Sequence, residues 1–209
     1  IHFPENMDTL IAARNRLVFD EFFLFILNMQ YHKEKRIKEA NEFEFREDSF
    51  TDELIARLPY ELTGAQKRAL SEVKRDMRSP YVMQRLIQGD VGSGKTIIAF
   101  LAMADAAHND YQSAIMAPTE VLARQHYENL QALYAPFGIE TVLLTGSMTA
   151  AAKRKTYSRI ENHEADVIIG TQALFQEKAV YDKLALIVTD EQHRFGVAQR
   201  AALSEKGRG

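Results

Sequence analysis

The sequence predicts an α/β fold, in which a mainly parallel sheet carries helices on both faces and is preceded by an N-terminal helical segment. From residue 59 onward, apolar runs of strand length alternate with amphipathic helical stretches. Buried strands that alternate with helices form βαβ crossovers, and hence a parallel sheet covered on both sides. Before residue 59, apolar residues recur at the spacing of a helix. These patterns predict a helical segment over residues 1–58 and an α/β domain over residues 59–209.

The N-terminal segment is expected to open with a long helix. Asp8 or Thr9 is the candidate N-cap, because short polar side chains accept hydrogen bonds from the free amides of a first helical turn. The mixed-charge stretch at 32–39 is interpreted as a solvated helix end, with a DNA-binding strip as the less favoured alternative. A short extended piece over 42–45 and a small helix near 52–57 follow. The apolar positions with helical spacing are Leu10, Leu17, Phe22, Ile26 and Met29.

Five apolar runs predict the strands of the α/β domain, and four amphipathic stretches predict its helices. In sheets of this kind ligands bind at the carboxyl ends of the strands, so polar residues just after a run are candidates for function. The runs cover residues 82–87, 113–116, 140–144, 166–169 and 184–188, and the helices cover 66–77, 96–108, 120–133 and 150–160.

Composition restricts the kinds of protein and partner to consider. The chain has 209 residues, 46% of them hydrophobic, a formal net charge of -3 and no cysteine. Disulfides and zinc–cysteine sites are therefore excluded, and a reducing cytoplasm is the expected location. The longest apolar run, Phe22–Leu27, is far shorter than the roughly 20 residues of a membrane span. Proteins that coat nucleic acid are usually basic, so we expect any DNA contact to be local or to be supplied by parts of the protein outside this chain.

A glycine-rich loop after the first predicted strand fits the phosphate-binding pattern G-x-x-x-x-G-K-[ST]. Glycines let main-chain amides turn towards phosphate oxygens, and the following helix points its positive end at the same anion. In this pattern Lys95 reaches the β and γ phosphates, and the Thr96 hydroxyl binds magnesium. The loop predicts ATP and Mg²⁺ as cofactors, and a turn without a ligand is the alternative. Its residues are Gly89, Asp90, Val91, Gly92, Ser93, Gly94, Lys95 and Thr96.

Two adjacent acids, Asp190 and Glu191, follow the last apolar run. A magnesium ion between β and γ phosphates needs a carboxylate nearby, and hydrolysis needs a group that orients or deprotonates water. We assign the metal role to Asp190 and the water role to Glu191. An acidic pair after a strand also fits a helix N-cap, so this assignment depends on the phosphate loop. His193 is either a sensor of the γ phosphate or a structural histidine.

Short motifs follow one another along the α/β domain. They are RLIQ at 85–88 before the phosphate loop, APTE at 117–120 with QHY at 125–127, LTGS at 144–147, IGTQAL at 169–174, and DEQHRFG at 190–196 with VAQR at 197–200. Together they resemble the superfamily 2 helicases, and more narrowly the RecG family of branched-DNA helicases. The longer DEQHRFG sequence is more restrictive than its DExH core, which many helicases share. The transcription-repair coupling translocases have a similar motor lobe and are the alternative, although they tend to carry Glu-Glu-Gln where this chain has Glu191-Gln192-His193.

The resemblance implies a RecA-like P-loop lobe, the first motor lobe of an ATP-dependent DNA helicase. Gln66 matches the glutamine that reads adenine in these helicases, and Tyr60 is placed to stack on the base. Thr63 and Gln66 also fit a capping box, in which the two residues satisfy free amides of the next helix, and both roles can hold. Gln192 and His193 are assigned to the coupling of hydrolysis to movement along DNA.

The resemblance also implies contacts with the DNA backbone at the strand ends. Hydroxyls and helix starts suit phosphates and read no bases, and capping of the strand ends is the structural alternative. One position departs from the family pattern, because Gln172 stands where the family usually has histidine, which removes any pH-sensitive contact there. The residues implied to contact DNA are Thr119, Arg124, Gln125, Thr145 and Thr171.

The expected function is the remodelling of branched or duplex DNA in recombination and repair, driven by ATP. The chain begins at Ile1 and ends in a polar stretch at Gly209, so we expect a fragment. The resemblance then implies a second motor lobe after Gly209 and a wedge domain before Ile1. Alone, the fragment is expected to bind nucleotide and to be a poor ATPase. A small-molecule kinase and a binding module that never hydrolyses ATP are the other classes, but no arginine-rich lid is visible and a binding module has no need for Glu191.

Overall fold

The structure, a computed structural model, describes residues 6–34, 40–47, 49–90 and 92–190. The chain divides into two compact units, one that ends at Ala40 and one that begins at Asn41. Among the described residues, no helix is both long enough and apolar enough to cross a membrane.

The first unit contains helix α1, Met7–Glu34. Asn6 caps this helix, because its Oδ1 accepts a hydrogen bond from the Thr9 amide at 2.9 Å and its own amide donates to the Thr9 hydroxyl at 3.3 Å. The prediction of Asp8 or Thr9 as the N-cap is wrong, since both lie inside the first turn and the cap is the polar residue just before it. The interpretation of residues 32–39 concerns side chains outside the described residues.

The second unit contains a four-stranded parallel sheet in the order β2-β3-β1-β4. Apart from the run at 82–87, each predicted strand and each of the four predicted helices of the α/β domain lies within two residues of its predicted bounds. The strands are β1 Gln112–Met116, β2 Thr141–Leu144, β3 Val167–Gly170 and β4 Leu184–Thr189, and the helices are α2 Phe50–Ala56, α3 Gly64–Met77, α4 Lys95–His108, α5 Glu120–Tyr134 and α6 Ala150–Glu161.

The predicted strand at 82–87 is not formed in the described structure, where β4 pairs with β1 alone. The segment is tied instead to α3 by the Arg85 guanidinium, which lies 2.6 Å from the Glu72 carboxylate and 2.7 Å from that of Asp76. Leu86 keeps 64% of its surface exposed. An apolar run becomes a buried strand only where it forms backbone hydrogen bonds with a neighbouring strand. Here the ion pairs of Arg85 hold the run against helix α3 instead.

The sheet carries apolar contacts on both faces, as the sequence predicts. Successive side chains of a strand point to opposite faces, and Ile168 and Ile169, both fully buried, belong to different core clusters. Leu101 of α4 and Leu130 of α5 pack in the Ile169 cluster, whereas Ile160 of α6 packs in the Ile168 cluster. Helices therefore cover the two faces of a parallel sheet, and the α/β fold class is confirmed.

Residues 41–58 pack on the sheet unit. Leu54 of α2 is fully buried in the cluster of α4, and the ring of Phe50 stacks on that of His108 with centroids 4.1 Å apart. The Thr51 hydroxyl lies 3.5 Å from the buried Asp105 carboxylate. By contacts this unit begins at Asn41, whereas the sequence analysis drew the domain boundary between residues 58 and 59. The domain organisation of the whole protein stays a prediction.

Candidate active site

The phosphate loop leads directly into α4, and two of its glycines have left-handed backbone angles. Gly92 has φ 80° and Gly94, the N-cap of the helix, has φ 76°. The Lys95 ammonium lies inside the loop, where it donates to the carbonyl oxygens of Gly89 and Asp90 at 2.7 Å each. An ammonium group and the free amides of a helix start thus converge on one place, which is the donor set that a phosphate group needs.

Two glycines of the loop leave no room for a side chain of their own. A Cβ atom on Gly94 would overlap Gln66 Nε2, and one on Gly89 would lie 2.8 Å from Ser93 Oγ. Thr96, in the first turn of α4, has its side chain half-buried beside the loop. Among the described residues, no group of three His, Asp or Glu side chains could hold a metal ion alone. Magnesium usually takes one or two protein oxygens and completes its shell with water and phosphate, and the predicted ligands Thr96 and Asp190 would supply oxygens of the kind that it prefers.

Gln66 connects the start of α3 to the phosphate loop. Its Oε1 accepts from the Thr63 amide at 2.8 Å and its own amide donates to Thr63 Oγ1 at 3.2 Å, so the capping box predicted from the sequence is confirmed. In addition, Gln66 Nε2 donates to the Ser93 carbonyl at 3.0 Å, a contact that the sequence analysis did not foresee. The predicted adenine contact would use the same amide group, which already lies against the loop.

Tyr60 lies on an open cleft at the end of α2. Its side chain is 53% exposed, and the cleft has a volume of about 490 Å³, with Pro59, Leu62 and Lys67 in its lining. Small-molecule sites commonly measure roughly 300–1,000 Å³. An exposed aromatic face in such a cleft is suited to stacking on a nucleobase, the role that the family resemblance implies for Tyr60.

The second set of predicted residues lies along the carboxyl edge of the sheet. The last residues of β1, β2 and β3 are aligned, because Met116 pairs with Gly170 and Gly170 with Leu144. Asp190, the residue after β4, donates its amide to the Met116 carbonyl at 3.0 Å. Thr145 and Thr171 each follow one of these strand ends directly. The predicted metal carboxylate and two of the predicted DNA contacts, Thr145 and Thr171, therefore share one edge.

The predicted DNA contacts differ in exposure. Thr119 is the N-cap of helix α5, with its hydroxyl accepting a hydrogen bond from the Leu122 amide at 3.2 Å. Arg124 and Gln125 are exposed. Thr145 is 1% exposed, and its hydroxyl lies 3.4 Å from Ser147 Oγ. This side chain is therefore directed into the loop that follows β2. Thr171 is half-buried, and Gln172 is exposed.

Glu120 fastens the loop after β2 to the start of α5. Its carboxylate accepts hydrogen bonds from the Ser147 amide at 2.9 Å and from the Ser147 hydroxyl. The hydrogen bond from the Ser147 hydroxyl lowers the pKa of Glu120, and the hydrogen bond from the Ser147 amide lowers it further. Lys153 of α6 donates to the Gly146 carbonyl at 2.6 Å. Two strand-end loops of the predicted DNA surface are thus held together by one carboxylate.

His126 is a site residue to which the sequence analysis gave no role. Its Nε2 lies 2.9 Å from Asp190 Oδ2, its ring packs edge-on against Phe100 of α4 at 5.8 Å, and only 7% of its surface is exposed. A signal was available in the sequence: residues three and four apart share a helix face, and His126 lies between Ala123 and Leu130, both fully buried. A histidine within such a face needs a polar partner.

Several predicted residues fall outside the described ranges: Val91, Glu191, Gln192 and His193. Their assigned roles in the loop, in hydrolysis and in coupling remain predictions. Asp190 is the last described residue of its motif.

The family model described as DEAD/DEAH box helicase matches residues 63–207, well over half of the chain. The chain is 44% identical over 209 residues to the ATP-dependent DNA helicase RecG of Staphylococcus aureus, covering 99% of this chain and 30% of that protein. It is 42% identical over 211 residues to RecG of Bacillus subtilis, with the same coverage. The chain thus spans about a third of the length of these relatives.

A solved structure of RecG bound to a three-way DNA junction superposes with a TM-score of 0.80 at 42% identity. The match covers 93% of this chain and 27% of that one. The resemblance to RecG that the motifs predict is confirmed over nearly the whole chain, and membership of a helicase family implies the use of ATP. The chain belongs to the DEAD/DEAH box helicase family.

Proposed function

We propose that this chain is the nucleotide-binding lobe of an ATP-dependent DNA helicase that remodels branched DNA in recombination and repair. The observation that most supports this is the relation of α4 to β4. Helix α4 starts at the phosphate loop and packs against β4, and the carboxylate at the end of β4 shares the contact partner His126 with Phe100 of α4. One face of α4 thus connects a phosphate-binding loop with an acidic strand end.

In this proposal the loop would hold the phosphates of ATP, and Thr96 and Asp190 would hold Mg²⁺. Lys95 is only half-buried and its present partners are neutral carbonyls, so its ammonium can exchange them for charged phosphate oxygens, which are better acceptors. Glu191 holds the attacking water, and Gln192 and His193 respond to the γ phosphate. Gln66 and Tyr60 hold the base. Magnesium supplies charge neutralisation on the phosphates when it is bound.

The DNA surface in this proposal is the carboxyl edge with the exposed side of α5. Arg124 and Gln125 lie within the second turn of α5 and are exposed, and the helix start at Thr119 offers main-chain amides to a phosphate. Contacts of this kind hold the backbone and carry no base preference. The solved structure of a RecG relative is bound to a three-way DNA junction, which supports branched DNA as the partner class.

The proposal assigns unwinding to a longer protein. Residues 1–58 would link the motor to a wedge domain, and a second lobe would complete the ATP site. In related phosphoryl-transfer enzymes, an arginine supplied to the γ phosphate raises the catalytic rate by a factor of roughly 10³ to 10⁵. We therefore expect the 209-residue chain to bind nucleotide and to turn it over slowly. The bacterial cytoplasm, with the nucleoid, is the location that goes with this function.

The test is the ATPase rate of the full-length protein with three-way junctions, linear duplex and single-stranded DNA at equal nucleotide concentration. We expect the junction to stimulate turnover most. Stimulation by RNA alone would contradict the assignment. Equal stimulation by linear duplex and junction would favour a translocase that does not select branched DNA.

A further inference from the structure

His126 connects the helix of the predicted DNA contacts with the predicted magnesium carboxylate. A carboxylate oxygen only accepts hydrogen bonds, so the contact of 2.9 Å between His126 Nε2 and Asp190 Oδ2 requires a proton on Nε2. The donor lies on α5, and the acceptor lies just after β4. The two residues are 64 positions apart in the chain, and the folded sheet brings them together.

The surroundings of His126 limit its freedom. The ring has 7% of its surface exposed and packs at 88° against the ring of Phe100, which is itself 6% exposed. The neighbouring positions on the same helix face, Ala123 and Leu130, are fully buried. A buried imidazole held by packing on one side has few orientations available, so its hydrogen bond constrains the plane of the Asp190 carboxylate.

We propose that His126 is a positioning residue for Asp190, holding the carboxylate in the orientation that magnesium–nucleotide needs. This inference depends on the proposed function, because it takes Asp190 as the metal carboxylate. Groups that hydrogen-bond to a metal ligand fix its orientation. The loss of such a group commonly costs about 10- to 100-fold in metal affinity. His126 itself touches neither metal nor nucleotide.

The test uses the full-length protein with His126→Gln, His126→Asn and His126→Leu. Glutamine places its Nε2 near the position of the imidazole Nε2, whereas asparagine is polar but too short to reach Asp190, and leucine preserves packing against Phe100. The readouts are the affinity for a fluorescent ADP analogue with and without Mg²⁺, and Mn²⁺ binding to the nucleotide complex by electron paramagnetic resonance.

We expect His126→Asn and His126→Leu to lose about 10- to 100-fold in metal-dependent affinity, while the affinity without metal stays within about twofold because it depends on the phosphate loop. His126→Gln should recover most of the loss. The matched control is Phe100→Leu, which removes the ring contact and leaves the hydrogen bond, and it should lose much less metal-dependent affinity than His126→Leu. If the His126→Leu variant does not fold, the comparison of His126→Asn with His126→Gln still tests the inference.

Two results would overturn the inference. One is equal metal-dependent affinity in His126→Asn and His126→Gln, and the other is a loss in Phe100→Leu as large as in His126→Leu, which would make the effect one of packing. Asp190→Asn, measured in parallel, separates the inference from the proposed function. A loss of metal dependence in Asp190→Asn alone overturns the role of His126, whereas unchanged metal dependence in Asp190→Asn overturns the role of Asp190 itself.

Discussion

The phosphate loop and the carboxyl edge of the sheet are fixed by contacts of different range. In the loop, Lys95 binds carbonyls five and six residues before it, and the backbone angles of two glycines set the turn. At the edge, the bond between His126 and Asp190 spans 64 residues. The loop is therefore held mainly by contacts close in sequence, with the Gln66–Ser93 bond as a long-range contact, and it can lose a side chain without loss of the fold. The edge exists only when the sheet is assembled.

The largest expected effect sharpens this comparison on the side of the loop. In the full-length protein, Lys95→Ala should reduce ATP turnover by about a hundredfold or more, since a charge that stabilises the transition state is removed. The unfolding temperature should stay the same, because the lysine is half-exposed and its two partners are main-chain carbonyls. Steady-state ATPase assays and thermal unfolding give the two numbers, and normal turnover would refute the loop as a phosphate site.

A smaller effect is expected for Gly94→Ala, with Gly138→Ala as its matched control. Both glycines have left-handed angles, φ 76° and φ 70°, so alanine should cost each about 1–2 kcal/mol of stability. At Gly94 the added methyl also collides with Gln66 Nε2, whereas at Gly138 it meets nothing within 4 Å. Only Gly94→Ala should lose nucleotide affinity. Chemical unfolding measures the stability of the two variants, and titration measures their affinity for nucleotide. Equal nucleotide affinities in the two variants would show that Gln66 takes no part in the nucleotide site.

At the edge, Thr119→Ala and Thr149→Ala form a second matched pair. The hydroxyl of each threonine caps a helix by accepting a hydrogen bond of 3.2 Å from a backbone amide. Each substitution should therefore lower the free energy of unfolding by about 1 kcal/mol. If Thr119 also holds a DNA phosphate, its variant alone should weaken DNA binding. Unfolding midpoints and DNA titrations by fluorescence anisotropy provide the comparison. Equal DNA affinities would leave Thr119 as a cap only.

The smallest expected effect is the pH dependence of the bond between Glu120 and Ser147. The serine lowers the pKa of Glu120 below its ordinary value of 4.5, so the bond stabilises the folded state above pH 4.5 and this contribution is lost as pH falls through the lowered pKa. The stability difference between wild type and Glu120→Gln should therefore shrink below pH 4.5. Urea unfolding at several pH values measures it, and a difference independent of pH would contradict the role of the charge.

Local patterns in the sequence predicted most of the fold. Four strands, four helices and the capping box of Thr63 with Gln66 could be predicted because each depends on periodicity or on residues three apart. The run at 82–87 has the same apolar pattern, but its fate depends on a ladder partner and on the ion pairs of Arg85 with α3. Nothing in the local sequence contains that information.

The candidate site divides in the same way. The loop from Gly89 to Thr96 could be predicted from its glycines and lysine, since the chemistry and the sequence order coincide. The partner of Asp190 could not, because β4 must lie beside β1 before His126 of α5 comes within reach. The bond from Gln66 to Ser93 was missed for a related reason: the sequence predicted the cap, but the approach of α3 to the loop is a tertiary contact.

The most direct test of the central claim is to replace Mg²⁺ by Fe²⁺ in the nucleotide complex of the full-length protein and to map the main-chain cuts made by the hydroxyl radicals that iron generates. If one metal ion lies between the phosphate loop and the end of β4, nucleotide-dependent cuts should appear in both places, near Lys95–Thr96 and near Asp190. Cuts confined to one of the two segments would show that they do not share a metal ion, and the proposed ATP site would be wrong.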